Sequence, residues 1–129
     1  MLKLPAPLIA VCIWILSSQP VLPEIKGIFG FDKFQHLLAY AVFAAAAGLW
    51  PSPTFRKRHA LAALLLTAFA GSCYGIIDEV HQYFVPGRDS NIWDWLADTI
   101  GAVLGAAAAM FVLPRLPGRV EKDDERSLI

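Results

Sequence analysis

Gly75-Ile-Ile-Asp78-Glu79-Val-His81-Gln82-Tyr-Phe-Val-Pro86-Gly87-Arg88-Asp89-Ser90-Asn91-Ile-Trp93-Asp94-Trp95-Leu-Ala-Asp98-Thr-Ile-Gly101-Ala-Val-Leu-Gly105 is the stretch on which the reading of this chain turns. It gathers Asp78, Glu79, His81, Gln82, Arg88, Asp89, Asp94 and Asp98 around a Pro-Gly turn, between apolar segments that are otherwise almost free of charge. If those segments cross a bilayer, each ionisable group is expensive unless it is paired, hydrated or coordinated. The default reading is therefore a functional site at a membrane face.

Composition supports the bilayer. Of 129 residues, 57% are hydrophobic and only 17% are charged, and the mean hydropathy is +0.52. That apolar share exceeds the usual value for a soluble domain, and it comes in long blocks. The formal net charge is zero, with basic groups between and after the apolar blocks and acidic ones mostly near the quoted stretch. The chain presents no basic field of the kind that holds nucleic acid. Cys12 and Cys73 sit inside apolar blocks without Cys-x-x-Cys spacing, so they are expected to be buried thiols packing as small hydrophobes.

Outward from the quoted stretch, four apolar blocks approach the roughly 20 residues that a helix needs to cross the hydrocarbon. They cover about 4–22, 34–50, 60–81 and 93–113. The expected fold is all-α: a polytopic four-helix transmembrane bundle over residues 1–113, followed by a polar, disordered tail over 114–129. Lys3 before the first block raises the alternative of a cleaved signal peptide. However, Ser17-Ser18-Gln19-Pro20 lacks a small-x-small site and the apolar run continues to Leu22, which favours a retained anchor. Arg56, Lys57 and Arg58 make a basic turn between the second and third blocks, and short basic loops stay in the cytoplasm. With four spans, both termini are then cytoplasmic, and the loop around Lys26 and the Pro86-Gly87-Arg88 turn are external.

Further polar groups fall at the start of the second block. Asp32, His36 and Tyr40 are spaced four apart, so a helix lines them up on one stripe, with Lys33 beside it. Alone, Asp32 reads as a first-turn carboxylate favoured by the helix dipole. His36 and Tyr40 lie deeper and want internal partners. Gly71 and Gly75 on the third block, and Gly101 and Gly105 on the fourth, are small-xxx-small pairs that let membrane helices approach closely. In phase, Gly71 and Gly75 lead into Asp78 and Gln82, while Asp94 and Asp98 lead into Gly101 and Gly105. This predicts a polar pocket between helices at the external surface.

The joint pattern of Asp32-Lys33-x-x-His36-x-x-x-Tyr40, Asp78-Glu79-x-x-Gln82, Pro86-Gly87-Arg88 and Asp94-x-x-x-Asp98-x-x-Gly101-x-x-x-Gly105 resembles the VanZ-like family of small bacterial membrane proteins. The resemblance covers about residues 31–105. It implies a compact polytopic helical fold in the cytoplasmic membrane, in a family whose namesake is associated with reduced susceptibility to teicoplanin. The chain departs from the family pattern at Asp98, where Asn is more usual.

The cluster Asp32, Lys33, His36, Tyr40, Asp78, Glu79, Gln82, Arg88, Asp94 and Asp98 is the candidate pocket. His36, Asp78, Glu79 and Asp94 supply hard donors that would suit a divalent cation, although their spacing matches no recognised ligand motif. Arg88 and Lys33 would suit a phosphate or carboxylate. Local roles suffice for His81, Asp89 and Ser90, and a capping-box partnership with Asn91 is the simple alternative for Asp94. Two functional readings follow. One is a non-enzymatic envelope protein that binds a polar headgroup, either a cell-wall precursor or a phospholipid, and so affects glycopeptide susceptibility. The other is a membrane enzyme acting on a phosphorylated lipid. The lipid bilayer is the expected partner in both.

Overall fold

The computed structural model describes residues 5–20 and 31–115. Lys3, the loop around Lys26 and the tail beyond residue 115 lie outside the described residues. Among the described residues five α-helices follow one another: α1 (Pro5–Ser17), α2 (Phe31–Ala47), α3 (Pro53–Arg58), α4 (Ala60–Tyr83) and α5 (Ile92–Ala107). A π-turn over Ala108–Val112 and a short 3-10 turn over Leu113–Arg115 continue α5. No strand occurs among the described residues.

Local chemistry sets the boundaries. Pro5 and Pro7 occupy the first turn of α1, where a missing amide proton matters least. Ser52 caps the basic helix α3 by accepting from the Phe55 amide, with Pro53 at the first helical position. Asn91 caps α5 by accepting from the Trp93 amide. The turn between α4 and α5 needs Gly87, whose φ of 79° lies in the left-handed region.

Helix length separates the elements. α4 has 24 residues, and Ile92–Val112 has 21. At ~1.5 Å per residue they are about 36 and 32 Å long, enough to cross a bilayer. α1 has 13 residues and α2 has 17, or about 20 and 26 Å. The four expected spans thus resolve, among the described residues, into two helices that are both long and apolar enough. α1 ends at Ser17 rather than near residue 22, in a serine turn. α2 begins at Phe31 rather than residue 34, so its first turns carry Asp32, Lys33, Gln35 and His36.

α5 packs between α2 and α4, and α1 lies against α2 and α4. The interior is lined by small and polar residues. Its buried apolar groups are mainly alanines, and Tyr40, Asp78 and Asp98 are the largest fully buried side chains. Large hydrophobics face outward instead, with Phe69 70%, Ile92 70%, Leu61 67% and Leu16 65% exposed. Water would penalise that inversion, and lipid tails favour it. Cys12 is exposed and Cys73 half-buried, contrary to the expected burial, because both share this outward-facing apolar surface.

The glycines explain the close contacts. Gly101 and Gly105 meet the main chain of α2: a side chain at either would run into the carbonyl oxygen of Leu37 or Ala41. Gly71 and Gly75 pack against α5. A Cβ at Gly71 would lie 2.6 Å from the Ala102 Cβ, and one at Gly75 would lie 3.1 Å from Asp98 Oδ2. The two pairs therefore seat α5 in separate grooves, one on α2 and one on α4.

Candidate functional site

Close packing of α5 against α2 and α4 brings their acidic positions together, and each carboxylate is held by a different element. Asp98 on α5 is fully buried, and its Oδ1 lies 2.9 Å from Nδ1 of His36 on α2. Asp78 on α4 is also buried. Its Oδ2 accepts from the Ser17 hydroxyl at the end of α1 at 2.9 Å and from the Gln82 amide at 3.1 Å. Glu79 accepts at Oε2 from the Asn91 main-chain amide at 2.9 Å and from the Ser90 hydroxyl at 3.3 Å. Asp94, at the rim, accepts from Lys33 Nζ at 3.0 Å. The capping-box alternative for Asp94 is not realised, since Glu79 takes the Asn91 amide.

Four buried oxygens have no hydrogen-bond partner among the described residues: Tyr40 Oη, Asp78 Oδ1, Glu79 Oε1 and Asp98 Oδ2. They form one neighbourhood. Tyr40 lies within electrostatic range of Asp78, Asp98 and Glu79, and Asp98 Oδ2 faces α4 across Gly75. An unpaired polar oxygen in a water-poor interior costs about 1–3 kcal/mol, so four together mark a place where something else is accommodated.

The remaining candidates are peripheral. Asp32 is 62% exposed and among the described residues meets only Lys33, accepting from its amide and lying 3.8 Å from its Nζ. Lys33 bridges Asp32 and Asp94. Its hydrogen bond to Asp94 raises its pKa above the ordinary lysine value. Arg88 does not turn toward Asp78 or Glu79. Its guanidinium donates to the carbonyls of Leu16 and Gln19, 3.0 Å each, and so ties the α4–α5 turn to the open end of α1.

Ser17 and Ser18 were not foreseen as site residues. Ser17 donates to Asp78, and Ser18 meets His81 Nε2 at 2.8 Å, with the His81 ring stacked on Trp14 at 3.9 Å. The sequence carries a signal for them, since two adjacent serines and a glutamine end an apolar helix. Ser90 and Asn91 were likewise read as local turn and cap residues, whereas both also hold Glu79.

Beside Glu79 the surface opens into a shallow cleft of about 250 Å³, lined by Ile76, Val80, Ile92 and Trp95 on its apolar walls and by Glu79, Ser90 and Asn91 at its polar end. Outward-facing large hydrophobics, a small-residue interior and two long apolar helices around a buried acidic centre define an all-helical membrane protein. The model of the VanZ/LLP1 family matches residues 8–113, and the chain belongs to that family. No curated protein and no solved structure matches it.

Proposed function

We propose that the protein is a four-span envelope protein of the cytoplasmic membrane that binds a polar headgroup at the external end of the bundle. In this arrangement α1 and α2 cross together with α4 and α5, the basic α3 region stays inside, and the α4–α5 turn faces out. The observation that carries the reading is the cleft beside Glu79. Its walls suit a lipid chain, and its polar end offers a buried carboxylate, a hydroxyl and an asparagine to a headgroup.

The sign of the charge narrows the ligand. The two cations at the edge of the cluster are engaged, Lys33 with Asp94 and Arg88 with main-chain carbonyls. The cleft is therefore suited to a headgroup carrying an amine, such as phosphatidylethanolamine or an amine-bearing cell-wall precursor, and occupancy would alter envelope properties and glycopeptide access. An enzyme acting on a phosphorylated lipid has less support, because neither of those cations is turned toward the cleft.

Native mass spectrometry of the chain released from nanodiscs of equal phosphatidylethanolamine and phosphatidylglycerol tests the proposal. Retention of phosphatidylethanolamine by the wild type and loss of that preference in Glu79→Gln are expected. Equal retention of both lipids by the wild type would remove its basis.

A further inference from the structure

We propose that His36, Glu79 and Asp98 form a binding site for one divalent first-row transition metal ion, buried where α2, α4 and α5 converge. A ring nitrogen of His36 and one carboxylate oxygen each from Glu79 and Asp98 lie within 4.8 Å of one another. In a tetrahedral site, donors that each sit ~2.0–2.2 Å from a shared ion are about 3.3–3.6 Å apart, so closing around an ion from that limit needs side-chain movements of up to about 1 Å.

The oxygens left over make this more than an acidic cluster. Glu79 commits Oε2 to the Asn91 amide and Ser90, leaving Oε1 without a partner. Asp98 commits Oδ1 to His36, leaving Oδ2 without one. One oxygen of each carboxylate is thus oriented by a fixed neighbour while the other is buried and unused, which is how ligating carboxylates are held. Asp98 is fully buried, and Oδ2 points across the α4–α5 contact at Gly75, where a side chain would crowd it. Tyr40 Oη and Asp78 Oδ1, also unpartnered, lie within electrostatic range of the site.

Charge balance agrees. Two carboxylates and a neutral imidazole offset a divalent ion, and Lys33 separately offsets Asp94, so loading removes most of the buried negative charge that a bilayer disfavours and leaves Asp78 held by the neutral Ser17 and Gln82. The donor set also discriminates. An imidazole among carboxylates and a phenol suits manganese, iron, cobalt or zinc, whereas magnesium and calcium prefer all-oxygen shells and copper(I) prefers sulfur. The structure changes the membership suggested by sequence: Asp98 replaces Asp94 as ligand, because Asp94 is taken by Lys33, and Asp78 moves to the margin.

Glu79 serves both this site and the headgroup reading, so a metal ion and an amine would compete for its charge, and the two are told apart because this test measures metal rather than lipid. The full chain, purified in detergent, is loaded with Zn(II), Mn(II) or Co(II), dialysed, and its metal content measured by elemental analysis. About one equivalent per chain is expected, with at least a tenfold loss in Glu79→Gln and full retention in Asp32→Asn at the exposed rim. Pulsed electron paramagnetic resonance of the Mn(II)-loaded wild type should show nitrogen coupling from one imidazole, a readout that requires no variant to fold, and His36→Gln should abolish it. Retention below a tenth of an equivalent for all three metals, or a Mn(II) spectrum without nitrogen coupling, would overturn the proposal. So would a Glu79→Gln chain that melts like the wild type and holds a full equivalent.

Discussion

Gly105→Ala isolates the contact that seats α5 on α2. A Cβ at Gly105 would overlap the Ala41 carbonyl oxygen and stand 2.8 Å from the Ala41 carbonyl carbon and 2.9 Å from the Ala45 nitrogen. All three are main-chain atoms, so no rotamer relieves the clash and the helices must separate. Moving the Ala41 carbonyl carbon out to an ordinary 3.4 Å contact requires about 0.6 Å, and the closer carbonyl oxygen requires more than that. Overpacking of this kind costs about 1–3 kcal/mol. The higher helix propensity of alanine returns about 0.8–1 kcal/mol, which leaves a net loss near 2 kcal/mol if the rigid main chain puts the clash at the upper end. The displacement also has a local signature, because His36 and Asp98 face each other across the same interface at 2.9 Å. Steric-trap unfolding in bicelles gives the free energy, and the chemical shift of the His36 ring reports the contact. A Gly105→Ala chain as stable as the wild type, with an unmoved His36 resonance, would refute this account of the α2–α5 interface.

Three further outcomes are expected. Ser17→Ala removes a buried donor from Asp78 Oδ2 and should destabilise the chain by about 1–3 kcal/mol, with faster proteolysis of α1, since the same change loosens its end from α4; unchanged proteolysis would show that the remaining ties of α1, through Arg88, His81 and Tyr74, suffice to hold it. The raised pKa of Lys33 makes its contribution to stability fully present below the ordinary lysine value of 10.5 and lost as pH rises through the higher folded value. Chemical denaturation in detergent should therefore show a Lys33→Met difference that is constant from pH 7 to 9 and shrinks only at the alkaline end. In a cysteine-free background, Asp89→Cys should react with an impermeant maleimide added outside cells and Thr54→Cys should not, and the reverse pattern would invert the proposed orientation.

Much of the centre was legible in the sequence because bilayer physics is one-dimensional to a first approximation. Blocks of apolar residues declare helices, and a charge inside such a block needs a partner. The helical spacing of His36 and Tyr40, and of Asp78 and Gln82, put each pair on one face, and all four point into the interior. Asp32 followed the same spacing but is 62% exposed, in the first turn of α2.

What the sequence determined by itself, then, is the all-helical class, the membrane setting, the family and the identity of the acidic set, since each depends on residue type and local period. Tertiary structure alone decided who partners whom. Period says which face a residue occupies, but not which neighbouring helix that face meets or at what axial offset, and an offset of one turn reassigns every contact. Thus Gly101 and Gly105 met α2 while Gly71 and Gly75 met α5, Lys33 rather than Asn91 took Asp94, and Arg88 turned to the carbonyls ending α1. That same offset put His36, Glu79 and Asp98, drawn from three helices and separated by up to 62 residues, around one point.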